Sequence, residues 1–406
     1  MILLRILLSL FQNTLVVYTL IPAVTLFFAY LGVHSNRGHD GIRPSNAARV
    51  WCAWWTAIVF YTLMLGLRMD VGADYVGTKF VFQDIINGQF GRSPDIIYLI
   101  FTPVVEFGHL NFFIAFMAFV NIFFIFKNFE NKMKILPFYL MFFFTLQTFL
   151  STLSMMRQSA AFFILFYAMN CFLDRRYKQF VCYYIFAFIF HKSCLLVLPF
   201  LFLFKYDLFK QRWLQYALLF SCFIFGARIF ELVTPYVSFL DMGTGEGYDI
   251  YIEQFEHRAE NTLEQIEEHE GSGLFAYFIL MLNCITIYYS KQLKDRYKHY
   301  HIVFFYNFFI LGSMMAPVVQ FNIEATRVNQ YIEIHRLYIY AILVYNIFSS
   351  KPDIHNNLAL KNKHEINVIM KIVCIMILFL SVIFYYRTIM SGQEILLTPW
   401  QWIFQI

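Results

Sequence analysis

The sequence predicts an all-α, polytopic integral membrane protein with about twelve transmembrane helices, and three observations carry that prediction. Of 406 residues, 60% are hydrophobic and only 14% are charged, whereas a soluble domain is about 45–50% apolar and about 25% charged. Apolar runs recur along the whole chain, many near the roughly 17–25 helical residues that cross a bilayer. The connectors between these runs alternate between basic and acidic or neutral, as the two faces of a membrane require.

The runs fall at about 13–32, 50–67, 110–126, 135–150, 157–173, 213–233, 273–290, 301–319, 334–349 and 367–386. The N-terminal apolar stretch follows Arg5 without a small-residue cleavage site, so it is expected to be a retained span and not a signal peptide. A further stretch, 179–204, is interrupted at its centre by His191-Lys192-Ser193. Connectors 33–49, 127–134, 174–178, 205–212, 291–301 and 350–366 are basic, while segment 234–272 carries ten acidic residues against Arg258. Excess Lys and Arg marks the cytoplasmic side, which places the acidic segment outside. Because 174–178 and 205–212 are both basic, the chain between them must leave and return. Two short helices, about 179–190 and 194–204, then place His191-Lys192-Ser193 at an outward turn. Counted this way, both termini lie outside. Residues 1–406 form a single multispanning domain with external loops at about 68–109 and 234–272.

The external loops hold the polar chemistry. Loop 68–109 opens with Arg68, Asp70, Gly72, Asp74 and Tyr75, then runs into an apolar piece, 94–107, interrupted by Pro103 and expected to be an interfacial helix. In 251–270, Ile252, Phe255, Ala259, Leu263 and Ile266 recur at steps of three or four with acids between them. That is an amphipathic helix with a solvated acidic face. Gly243, Gly245 and Gly247 precede it, but no strand precedes them, so they make a poor phosphate cradle. Trp400 and Trp402 suit an aromatic belt at the membrane interface. The seven cysteines all sit in or beside apolar runs, with neither disulfide nor zinc spacing. The formal charge of +5 gives no reason to expect nucleic acid as a partner; the expected partner is the lipid bilayer.

Ionisable residues at membrane depth are costly and mark function by default. Arg68 ends the second run, Arg157 with Gln158 opens the fifth, His191 and Lys192 form the outward turn, and Arg336 follows Glu333 and His335 into a late run. All lie near the outer face in the topology above. Several cations on one side of a bilayer suit an anion, and guanidinium groups grip phosphate oxygens in a bidentate manner. Each also has a plainer reading: a snorkelling anchor for Arg68, Arg157 or Arg336, a solvated turn for His191-Lys192.

The order of these motifs resembles that of the EpsG family, which belongs with the Wzy-type polymerases of bacterial surface polysaccharides. Leu67-Arg68-Met69-Asp70-Val71-Gly72-Ala73-Asp74-Tyr75 resembles its Leu-Arg-x-x-x-Gly-x-Asp-Tyr signature. Met156-Arg157-Gln158-Ser159-Ala160-Ala161 is similar to its Arg-Gln-x-x-Ala helix start, and Phe190-His191-Lys192-Ser193 to its Phe-His-x-Ser turn. His335-Arg336-Leu337-Tyr338-Ile339-Tyr340 is similar to a late Arg-x-x-x-Tyr element. The closing Pro399-Trp400 departs from the expected Pro-Tyr, and the acidic loop has no counterpart in the family pattern.

The resemblance implies a GT-C-like glycosyltransferase of the bacterial inner membrane, catalytic on its periplasmic or external side. Its substrate would be an undecaprenyl-pyrophosphate-linked oligosaccharide of an O-antigen, capsule or exopolysaccharide. Fixed cations would stabilise the charge growing on the leaving pyrophosphate. On this reading Arg157 and Arg336 bind the pyrophosphate, with Arg68, Gln158, His191 and Lys192 assisting. Asp74 is the first candidate base for the acceptor hydroxyl, His191 the second, and Asp70 orients a cation. No metal ligands and no cofactor are expected. A separate chain-length regulator is left open as a partner. Two other classes stay in view: a flippase, which would show internal repeats and broken helices, and an acyltransferase using His191 as its base.

Overall fold

The computed structural model describes residues 13–36, 39–88, 95–108, 110–239, 273–320, 323–349 and 359–391. Among them the regular elements are all helices. The first are α1 (Thr14–Ser35), α2 (Ala47–Gly66), α3 (Ala73–Ile86), α4 (Ile96–Glu106) and α5 (Leu110–Asn128). They are followed by α6 (Leu136–Thr145), α7 (Thr148–Ser154), α8 (Met156–Leu173), α9 (Tyr177–Phe190) and α10 (Leu198–Leu203). The rest are α11 (Arg212–Phe239), α12 (Leu274–Arg296), α13 (Ile302–Val319), α14 (Ile323–Glu333), α15 (His335–Ser349) and α16 (Ala359–Met390). The chain groups into two compact units, residues 1–192 with 344–406, and residues 193–343.

Seven described helices, α1, α2 with its leading turn, α5, α11, α12, α13 and α16, contain stretches long and apolar enough to cross a membrane. The α6–α7 pair is an eighth if taken as one span bent by 60°. The expected crossings at 157–173, 179–190, 194–204 and 334–349 are also largely helical but shorter or more polar. On α16, Ile369, Ile372, Ile375, Met376, Phe379 and Ile383 are exposed. A helix bearing such a face needs acyl chains around it, and its backbone groups are satisfied within the helix.

Helix α8 is the opposite case. Nearly every side chain from Met156 to Phe172 is buried, because α5 and α9 pack along it. Sheathed from lipid, it accommodates Gln158, Ser159 and Asn170. Asn170 Nδ2 donates to Asn128 Oδ1 on α5 (2.9 Å), and Asn128 Nδ2 donates to Phe163 O (3.2 Å). Lys132, in the turn after α5, donates from Nζ to Asn170 Oδ1 (2.8 Å).

Two expectations change. The run 135–150 is not one straight crossing: Gln147 adopts a left-handed conformation (φ 63°) and breaks it. Its side-chain amide donates to Thr388 Oγ1 on α16 (2.9 Å), and its carbonyl accepts from Ser151 N (2.9 Å), supplying partners that a broken helix in lipid needs. Loop 68–109 contains a second helix, α3, besides the expected apolar one. That apolar helix, α4, runs from Ile96 to Glu106 with Pro103 inside it. The acidic helix expected at 251–270, its glycine entry, and Pro399, Trp400 and Trp402 lie outside the described residues.

In the second unit α11 packs on α13, with Gly226 against Pro317 O. Gly312 of α13 leaves room for the backbone of Ile332 and Glu333.

Burial pushes the Lys132 ammonium down to about 7 from 10.5, against an opposing pull from Asp174. Between those values the unfolded chain holds a proton the folded chain has shed, so stability rises with pH across that window. The detergent-solubilised protein should therefore gain in thermal midpoint from about pH 7 to about pH 9. Lys132→Met should flatten this profile; an unchanged upward slope would contradict the assignment.

Candidate functional site

The site is organised by a residue absent from the sequence-based candidates, Asp95. It caps the N-terminus of α4 in an extended conformation, but its side chain makes no capping hydrogen bond. Instead Oδ2 pairs with Arg157 Nη1 of α8 and lies 3.3 Å from Nδ1 of His191, just past α9. The Asp95 side chain is 10% exposed, while those of Arg157 and His191 are 26% and 28% exposed. The carboxylate is thus sunk, and the groups it holds reach toward the surface.

Each partner is fixed by its own element. Arg157 stands in the first turn of α8, just after the break at Met155. A cation there opposes the helix dipole, so an external anion is needed to hold it. Tyr98, one turn along α4 from Asp95, places its ring 4.3 Å from the guanidinium carbon, a cation–π contact. Residues three apart on a helix lie on one side, so α4 offers Arg157 a carboxylate and an aromatic face together. The Tyr98 hydroxyl is 3.4 Å from Thr78 Oγ1 on α3. His191 leaves α9 in extended backbone, its N–H donating to Ala187 O (3.1 Å). Phe190 before it is fully buried and stacked on Phe116 (6.0 Å between centroids).

Burial by itself would raise the Asp95 carboxyl. The contact with His191 and the charges of Arg157 and Lys192 outweigh that and hold it below the ordinary carboxylate value. Asp95 is therefore ionised at neutral pH. The charges of Arg157 and Lys192 stand against this negative charge, and Asp74 adds a second carboxylate near Tyr98.

The other candidates fall elsewhere. Arg68 is 1% exposed; its Nη2 donates to Leu153 O (3.1 Å) and Met156 Sδ (3.0 Å), so it faces the interior and not an external anion. Burial pushes the guanidinium down to about 10, with Tyr18, Tyr61, Tyr75 and Asp74 opposing, and it stays cationic at neutral pH. Asp74 is half-buried in the first turn of α3, within the electrostatic field of Arg68 and Tyr98. Asp70 is exposed, left-handed (φ 52°) and in no ion pair among the described residues. The carboxylate that orients a cation is Asp95, not Asp70. Gln158 is buried. Arg336 belongs to the other compact unit and pairs with Glu333, which also accepts from Asn329 Nδ2 (3.4 Å). Among the described residues no three His, Cys, Asp or Glu side chains form a metal-ligating group. A signal for Asp95 was present: Pro94-Asp95 stands directly before the apolar run 96–101, which is an N-cap pattern.

Many-spanned, with a polar cluster joining α4, α8 and the end of α9, the chain is an all-α multispanning membrane protein. The EpsG family model matches residues 51–402, nearly the whole chain, and the protein belongs to the EpsG family. Membership carries a polysaccharide polymerase-like role, glycosyltransferase-like in kind and exercised in a membrane. No curated protein and no solved structure matches the chain.

Asp95→Ala strands the Arg157 guanidinium. It should destabilise the detergent-solubilised protein by about 1–3 kcal/mol, as loss of a buried partner of a charged group does. Adding Arg157→Ala to Asp95→Ala should cost less than the sum of the two single changes. Additive midpoints in a thermal-melt cycle would show the pair to be uncoupled.

Proposed function

We propose that this protein polymerises repeat units of a bacterial surface polysaccharide (O-antigen, capsule or exopolysaccharide) at the outer face of the inner membrane. It would move a glycan from undecaprenyl pyrophosphate onto the non-reducing sugar of a second lipid-linked unit. One observation carries the reading: a sunken carboxylate, Asp95, pairs with the Arg157 guanidinium and lies 3.3 Å from the His191 imidazole.

In the transfer, the bond between the donor sugar's anomeric carbon and the pyrophosphate oxygen breaks, and its electron pair leaves on that oxygen. The acceptor hydroxyl oxygen forms the new glycosidic bond and gives up its proton. Arg157 and Lys192 supply fixed positive charge where the leaving group's charge grows, an interaction strongest in the transition state. His191, whose Nδ1 lies 3.3 Å from Asp95 Oδ2, is the side chain placed to take the acceptor proton, as a positioned imidazole does in general base catalysis. Asp74 was the first candidate base from sequence. The nearness of His191 Nδ1 to Asp95 favours His191 for that role, because a carboxylate beside the ring stabilises the positive charge it gains on taking the proton. Undecaprenyl pyrophosphate and a lengthened lipid-linked glycan are the products.

The test is a gel of surface polysaccharide from a strain lacking the gene. A plasmid with the wild-type gene should restore the ladder. Arg157→Ala and His191→Gln should leave a single repeat unit at normal protein abundance, since loss of one preorganised charge-stabilising group costs about 10²–10³-fold in rate. A full ladder from Arg157→Ala would overturn the leaving-group role. A ladder that survives deletion of the gene would overturn the polymerase reading.

A further inference from the structure

We infer that Arg68 is a positioning residue, one that sets the start of α8 and thereby the place of Arg157, and does not itself meet the substrate. The inference rests on the polymerase reading and adds a role for the segment Leu67–Gly72.

Helix α7 ends at Ser154 and α8 begins at Met156. A helix end leaves its last carbonyls without intrahelical donors, and a buried carbonyl left that way costs free energy. Leu153 O is one of these, and Arg68 Nη2 supplies its donor at 3.1 Å. The same nitrogen lies 3.0 Å from Met156 Sδ, next in sequence to Arg157. Gly72 closes the other side. A Cβ there would run into Leu153 O and come within 2.8 Å of its carbonyl carbon, and φ is +90°, which favours glycine. Leu67–Gly72 therefore wraps the Leu153 carbonyl, with a guanidinium from one residue and a bare α-carbon from another.

The wrap is itself held. Asn111, at the start of α5, donates from Nδ2 to Gly66 O (2.8 Å) and Arg68 O (3.0 Å). Gly66 lets the two helices close up there, since a Cβ on it would come within 3.1 Å of Ala115 Cα. At 1% exposure Arg68 cannot reach an anion outside. Its Nε and Nη1 find no acceptor among the described residues. Such idle buried donors are costly, and a side chain chosen for stability alone would not carry them.

The test uses the purified full-length chain with an undecaprenyl-pyrophosphate-linked repeat unit as substrate. Arg68→Lys and Met156→Leu are made alone and on an Arg157→Lys background, and kcat and KM are measured for protein that elutes as a single species. Met156→Leu removes the sulfur acceptor at nearly constant volume, which cores tolerate, so it reports even if Arg68→Lys fails to fold. Misplacing a catalytic group by a fraction of an ångström should lower kcat about tenfold for Arg68→Lys, and less for Met156→Leu, with KM within about twofold. On the Arg157→Lys background the same changes should lower kcat by less than about twofold, because residues acting through one another are non-additive. Equal losses on both backgrounds, or a raised KM at unchanged kcat, would overturn the positioning role and leave the polymerase reading intact. A wild-type rate in Arg157→Lys would likewise overturn the positioning role, whereas no transfer by the unaltered chain would overturn the polymerase reading on which the inference rests.

Discussion

The Asp95 carboxylate is shared by Arg157 from α8 and His191 from the end of α9, and it stands at the head of α4. Three helices are thus tied at one oxygen atom, in a place where burial alone would favour the neutral acid. The tie persists because the charges around it outweigh desolvation. Without it, Arg157 would be a cation set against a helix dipole, and the His191 ring would lose the contact that selects its orientation.

The surrounding packing makes such a tie possible. Helix α8 is enclosed by protein along its length, so polar side chains on it meet hydrogen-bonding partners and not hydrocarbon. At its far end Lys132, Asn170 and Asn128 form a chain of hydrogen bonds into α5. At its near end Arg68 and Gly72 enclose the Leu153 carbonyl. Helix α16 returns to α1, where Tyr385 donates to Tyr18 O (2.8 Å) and Thr19 Oγ1 meets the Tyr386 hydroxyl (2.7 Å). Apolar residues exposed along α16 then turn toward lipid.

Much of this was legible in the sequence, for physical reasons that differ by residue. Arg157, His191 and Lys192 stood out because a charge inside an apolar run is expensive, and the alternating charge of the connectors assigned them to one side. The helix pair around His191 followed from two basic connectors flanking one apolar stretch. Arg68 stood out for the same reason as Arg157, yet its guanidinium points inward, and side-chain direction at the end of a helix is decided by packing that no local pattern records. Asp95 escaped notice because an acid in a connecting loop is ordinary; only its pairing with Arg157, 62 positions later in sequence, makes it unusual. The bend at Gln147 has neither Gly nor Pro within 145–149 to announce it. It is a tertiary feature, repaired by Thr388 from the other end of the chain.

The most direct measurement is the single-turnover transfer rate of purified protein carrying Asp95→Ala, with a lipid-linked repeat unit as donor and acceptor. If Asp95 sets the geometry of Arg157 and His191, transfer should fall about a hundredfold or more while donor affinity changes only a few-fold, as for loss of an interaction used mainly in the transition state. A rate within about twofold of wild type would contradict the account, because a site organised by that carboxylate cannot keep its geometry without it.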